Sequence, residues 1–167
     1  MTCGKALGGS DASRVVEVSV PALVEQLRGQ LAAGHSVTFV VRGRSMRPML
    51  EDKRDSVRLV PPHPDSVRPG DVVLAFVREG AYVLHRVVRR DGEELLLRGD
   101  GNVGKCEHCR AGDVIGVADC FYRRHARRPL PVSSRRWRLY SWLWTRVTPV
   151  RRWLLAFHRR LWLPLFG

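Results

Sequence analysis

Between Ser36 and Tyr122 the chain divides into short β-prone runs at close spacing, most of them set apart by strong turn formers. The runs are Ser36–Arg42, Ser56–Val60, Asp71–Val77, Tyr82–Arg89, Glu94–Arg98 and Val114–Tyr122, rich in Val, Leu and aromatic residues. Pro61-Pro62-His63-Pro64, Pro69-Gly70, Glu79-Gly80, Asp91-Gly92 and Gly99-Asp100-Gly101-Asn102 are the breaks. No helical period intervenes, so the pattern predicts a mainly β, antiparallel, barrel-like domain.

One helix precedes it. Pro21 opens a segment that runs to about Ala33, with Gly34 as its stop. Leu23, Val24, Leu27 and Leu31 give that helix an apolar stripe. Val15–Val20 alternates enough for a short strand, and residues 1–13 are Gly- and Ser-rich and expected to fray. With 44% hydrophobic residues the chain can build a core, which excludes the disordered and collagen-like classes.

Three stretches carry chemistry. Ser45, in Gly43-Arg44-Ser45-Met46-Arg47-Pro48, follows a strand and precedes a Pro-restricted turn, a corner that can expose a nucleophilic hydroxyl. The residue two before it is Gly43, so an oxyanion donor there is a backbone N–H rather than a side-chain hydroxyl. His85 stands inside the apolar run Tyr82–Val88, either as a packed core residue or as a general base able to take the Ser proton. Gly99-Asp100-Gly101-Asn102 is, by itself, a turn.

In this order the stretches resemble the S26 signal peptidase family and, more loosely, the LexA-like self-cleaving proteins of the S24 group. Ser45-Met46-Arg47-Pro48 is similar to the Ser-Met-x-Pro box, and Val67-Arg68-Pro69-Gly70-Asp71-Val72-Val73 to the Gly-Asp-hydrophobic strand. Leu84-His85-Arg86-Val87 and Gly99-Asp100-Gly101-Asn102 complete the series, and the likeness covers roughly residues 36–122. A His rather than a Lys at the base position resembles the eukaryotic-type signal peptidases.

The resemblance implies a serine endopeptidase that cleaves a leader or signal segment bound as a β-strand, without a cofactor. It implies Ser45 as nucleophile, His85 as general base and Met46, Val83 and Leu84 beside the substrate. The third group lies between Asp100, Glu107 and none, with Asp100 preferred. The chain departs from the pattern after the Ser box, where Glu51-Asp52-Lys53-Arg54-Asp55 places Asp55 in the acidic slot. A LexA-like self-cleaving regulator would need a DNA-binding motif and a scissile linker, for which 1–35 is too short. A catalytically inactive membrane- or partner-binding module is the other alternative.

Cys3, Cys106, Cys109 and Cys120 are too few and too irregular for a disulfide framework. Cys106-Glu107-His108-Cys109 has zinc-like spacing but lacks a second pair, so no metal is expected.

The formal charge of +13 is not spread evenly. All sixteen acids lie at or before Asp119, whereas residues 123–167 hold twelve Arg, no acid and all five Trp. Residues 14–122 therefore read as the peptidase-like domain and 123–167 as a basic tail. A helix over 135–147 would carry Leu139, Tyr140, Leu143, Trp144 and Val147 on one side, with Arg135, Arg138, Ser141, Thr145 and Arg146 opposite. A second helix from Pro149 would align Val150, Trp153, Leu154, Phe157 and Leu161. Such a pair fits an anionic membrane surface better than nucleic acid, because the Trp share faces with Leu and Val instead of interleaving with Arg; the alternative is that these faces pack on the β domain or on a partner protein. Met1–Val20 lacks a signal-peptide h-region and no apolar run has spanning length. The expected location is cytoplasmic and peripheral to a membrane.

Overall fold

The computed structural model describes residues 20–146 apart from positions 103, 125 and 127. The expected strand at Val15–Val20 lies outside these residues except for Val20, which begins a helix; the expected second tail helix lies wholly outside them.

The elements are α1 (Val20–Ala32), β1 (Val37–Val40), β2 (Ser56–Val60), β3 (Val72–Val77), β4 (Ala81–Asp91), β5 (Glu94–Arg98), β6 (Glu107–Arg110), β7 (Val114–Tyr122), β8 (Leu130–Pro131) and α2 (Arg135–Arg146). Every strand pairing is antiparallel, in the order β1-β2-β7-β3-β4-β5-β6, and the sheet curls into a half-barrel. β8 pairs with β7 at Cys120 and Phe121, beyond the stretch of β7 that β3 occupies.

The core has two parts because β3 is covered on both faces. Val72 and Leu74 point into one cluster with Val24, Leu27 and Leu31 of α1, Val57 and Leu59 of β2, and Phe121 of β7. Val73, Ala75 and Val77 point the other way, onto Val87, Leu95, Leu97 and Cys109. A strand buried twice needs apolar residues in succession, which is why Val72-Val73-Leu74-Ala75 shows no alternation. β2, with one buried face, alternates. α1 rests directly on β7 at Gly116, where a Cβ would lie 3.0 Å from Leu31 Cδ1 and 3.1 Å from Leu59 Cβ.

Residues on the two sides of the expected boundary at Tyr122 are packed together. β8 extends the sheet, and Trp137 of α2 is buried in the first cluster against Phe121, ring centroids 4.4 Å apart. Among the described residues no helix is long and apolar enough to cross a membrane.

Candidate active site

Ser45 sits in the turn between β1 and β2, half-buried. The turn is tied at both ends. Gly43 N–H donates to Asp52 Oδ1 (2.8 Å), and Leu50 N–H to Met46 O (3.0 Å). Its base is held by Asp55, which accepts from Glu51 N–H (2.9 Å), Arg124 N–H (3.1 Å) and Arg54 Nε (3.0 Å). Burial works to raise the Asp55 carboxyl. Arg54 and the two backbone donors outweigh it, and the group stays below its ordinary range. The Arg47–Pro48 peptide is cis.

His85 and Arg86 are neighbours on β4 and belong to different networks. His85 Nδ1 lies 3.0 Å from Glu107 Oε2, with the two side chains 5% and 4% exposed. Arg86 is clamped on Asp100, Nε to Oδ1 at 2.8 Å and Nη2 to Oδ2 at 2.7 Å. Burial alone would lower the Arg86 pKa; Asp100 reverses this and keeps the guanidinium firmly charged. The expectation that Asp100 orients His85 is therefore corrected, since its carboxylate is taken by Arg86 and Glu107 holds the imidazole instead. Glu107 reaches it because β6 pairs with β5 in the register Leu97↔Glu107. Neither β6 nor this pairing was expected from the polar run Cys106–Arg110.

The backbone of Ser45 and the ring of His85 both approach Gly99. A Cβ on that residue would lie 2.5 Å from Ser45 O and 3.0 Å from His85 Nε2, so a side chain there would fill the space between them. Gly101 N–H donates to Ser45 O at 2.7 Å. The Gly-Asp-Gly-Asn turn thus fastens the Ser45 turn to β4, and its first glycine permits the close approach.

Electrostatically, burial pushes His85 below the ordinary imidazole value. Glu107 and, at longer range, Asp100 pull it back part of the way, and Lys105 opposes them. The imidazole is neutral at pH 7. With Nδ1 on a carboxylate, the assigned tautomer carries its proton on Nδ1 and leaves the Nε2 lone pair on the side of the ring that approaches Gly99.

The expected substrate contacts are not gathered on one surface. Met46 is 1% exposed and lies in the first core cluster. Val83 packs on the second cluster and Leu84 on the first, as successive residues of a strand must. Cys109, also in the second cluster, has its thiol pushed up to about 11 by burial and nearby carboxylates. Among the described residues no group of three or more His, Cys, Asp or Glu is placed to hold a metal ion.

The tail helix also differs from its projection. Trp137, Ser141 and Trp144 are buried, although Ser141 was expected on the solvent face with the arginines. Leu139 and Leu143, expected on one apolar face with Tyr140 and Trp144, are exposed together with Trp142, while Trp144 is buried. α2 therefore has two apolar sides about half a turn of rotation apart.

No family model matches the chain, and no curated protein matches it.

Proposed function

We propose that the chain is a serine endopeptidase of the signal-peptidase type, with Ser45 as nucleophile, His85 as general base and Glu107 as the acid that orients it. The observation that carries this reading is the order Glu107–His85–Gly99–Ser45. A buried carboxylate lies on one imidazole nitrogen, and the other nitrogen and the Ser45 carbonyl both approach Gly99, where a side chain would collide with them.

In such an enzyme Ser45 Oγ attacks the carbonyl carbon of the scissile peptide while His85 Nε2 takes the hydroxyl proton. The imidazolium, stabilised by Glu107, returns that proton to the leaving amine as the C–N bond breaks, which leaves an acyl-enzyme. Water then gives a proton to His85, attacks the ester and releases the acid with Ser45 restored. Burial that keeps His85 neutral favours the base role at neutral pH.

The substrate class in this reading is the leader segment of a peptide or protein, bound in extended form. The outward side of α2, Leu139, Trp142 and Leu143 among arginines, supports an anionic membrane surface as the place of action. A fluorophosphonate probe tests the chemistry. It should label the wild-type chain, with Ser45→Ala and His85→Ala unlabelled. Wild type and Ser45→Ala equally unlabelled between pH 6 and 9 would reject the peptidase and favour a non-catalytic binding module.

A further inference from the structure

The inward side of α2 touches the Gly-Asp-Gly-Asn turn at two points, both on Asp100. Tyr140 Oη donates to Asp100 Oδ2 (3.2 Å), and Trp144 Nε1 donates to Asp100 O (3.2 Å). Arg86, held by that same aspartate, donates from Nη1 to Ser141 Oγ (2.6 Å) and to Gly70 O (2.9 Å). The Arg86 guanidinium lies 4.8 Å from the Trp137 ring and 5.6 Å from that of Tyr140. Asp100 is fully buried beneath these groups. One residue further on, Gly101 N–H holds Ser45 O. A continuous set of hydrogen bonds thus runs from α2 through residues 100 and 101 to the backbone of Ser45.

We propose that α2 is a positioning element for the serine. Tyr140 and Trp144 fix the 99–102 turn, and through Gly101 the turn fixes Ser45 relative to His85. This rests on the peptidase reading and extends it, because it makes part of the basic tail a working part of the site. Only a segment with two apolar sides can do this while keeping Leu139, Trp142 and Leu143 outward. The residues concerned touch no substrate; they act through Asp100. Asp100, Arg86 and Trp144 are buried, so an acceptor on Asp100 that loses its indole partner is poorly placed to gain a water instead.

Amide hydrogen exchange on the full chain separates the positioning from the chemistry. In Tyr140→Phe, and more strongly in Tyr140→Phe/Trp144→Phe, the Gly101 amide should exchange about tenfold faster, the size of one lost hydrogen bond. Core amides of β2 such as Leu59 should change less than about twofold. If the double variant loosens Leu59 equally, global destabilisation is the cause and Tyr140→Phe, which removes a single oxygen, decides. Unchanged Gly101 exchange in that variant overturns the proposal.

Fluorophosphonate labelling of the same proteins reads the second link. The maximal acylation rate should fall about tenfold, with half-saturation of the probe unchanged. A loosened Gly101 with an unchanged acylation rate would overturn the link from the turn to Ser45. A wild-type chain that never labels would instead reject the peptidase reading, and the exchange result would still decide whether α2 holds the turn.

Discussion

Glu107 Oε2 stands 3.0 Å from His85 Nδ1, on a strand that pairs only indirectly with the one bearing the histidine. The pair lies below the surface, so neither partner is screened by water. Glu107→Gln keeps the shape but cannot fix the tautomer or stabilise the imidazolium. Acylation should slow on the order of 10³- to 10⁴-fold. The acid limb of its pH profile should move to lower pH, because the carboxylate that raises His85 is gone. A limb that stays in place would remove Glu107 from the orienting role.

Asp100 has the opposite kind of importance. Removing it strands the Arg86 charge in a site where both side chains are 1% exposed. Breaking one partner of such a pair costs about 3–5 kcal/mol. Asp100→Asn should therefore lower the urea midpoint strongly, and Arg86→Met should do the same. In Arg86→Met/Asp100→Leu the loss should be smaller than the sum of the singles, because no unpaired charge remains. Additive losses would mean that the pair is not coupled.

The strand framework is legible in the sequence because each run buries a face in a regular way. β2, β5 and β7 lie on the residues their composition predicts. β6 is not legible. Glu107-His108-Cys109-Arg110 has three polar residues in four, and only Cys109 and the Glu107 carboxylate turn inward. Its strand character comes from pairing with Leu95 and Leu97, which no local pattern announces. The ranking of Glu107 over Asp100 as the partner of His85 is hidden for the same reason, since Asp100 is nearer to the histidine in the sequence while Glu107 is the carboxylate in contact with it. α2 is misread where its partners are remote. Ser141 looks like a solvent residue until Arg86 and Gly70 are placed beside it.

His85 also links stability to pH. Its folded pKa lies below the ordinary 6.5, so above that value both folded and unfolded histidine are neutral and nothing is lost. As the pH falls below about 6.5 the unfolded chain takes up the proton first. Stability should then fall until the folded pKa is passed. Urea midpoints measured from pH 8 to pH 5 should decline for the wild type and decline less for His85→Gln. Parallel curves would place the titration elsewhere.

Gly99 offers a test of the serine–histidine approach that leaves both residues intact. A methyl group there would meet Ser45 O at 2.5 Å, and backbone cannot swing aside as a flexible side chain can. Gly99→Ala should push the Ser45 turn from β4 and reduce acylation by on the order of 10²-fold or more. Gly104→Ala, with nothing within 4 Å of the new Cβ, should act like wild type. Equal activity in the two variants would show that Ser45 and His85 do not work across Gly99.

The membrane reading has to be tested without cutting the tail. Deleting everything beyond residue 125 would remove β8 and uncover the core that Trp137 fills, so lost binding would report unfolding as readily as a lost lipid contact. The outward side of α2 allows a cleaner experiment. Leu139, Trp142 and Leu143 are 65%, 53% and 48% exposed, so Leu139→Ser/Trp142→Ser/Leu143→Ser should leave the fold in place. Apolar insertion and Arg attraction act together at a lipid surface, each basic side chain adding about 1 kcal/mol near anionic headgroups. The wild-type chain should co-sediment with phosphatidylserine vesicles, bind phosphatidylcholine vesicles weakly, and release as salt screens the arginines. In the triple variant the affinity for phosphatidylserine vesicles should fall about tenfold or more while the salt response persists. Undiminished binding by that variant would mean that α2 does not present its outward side to lipid. Equal binding of the wild type to both kinds of vesicle would mean that the arginines do not direct it.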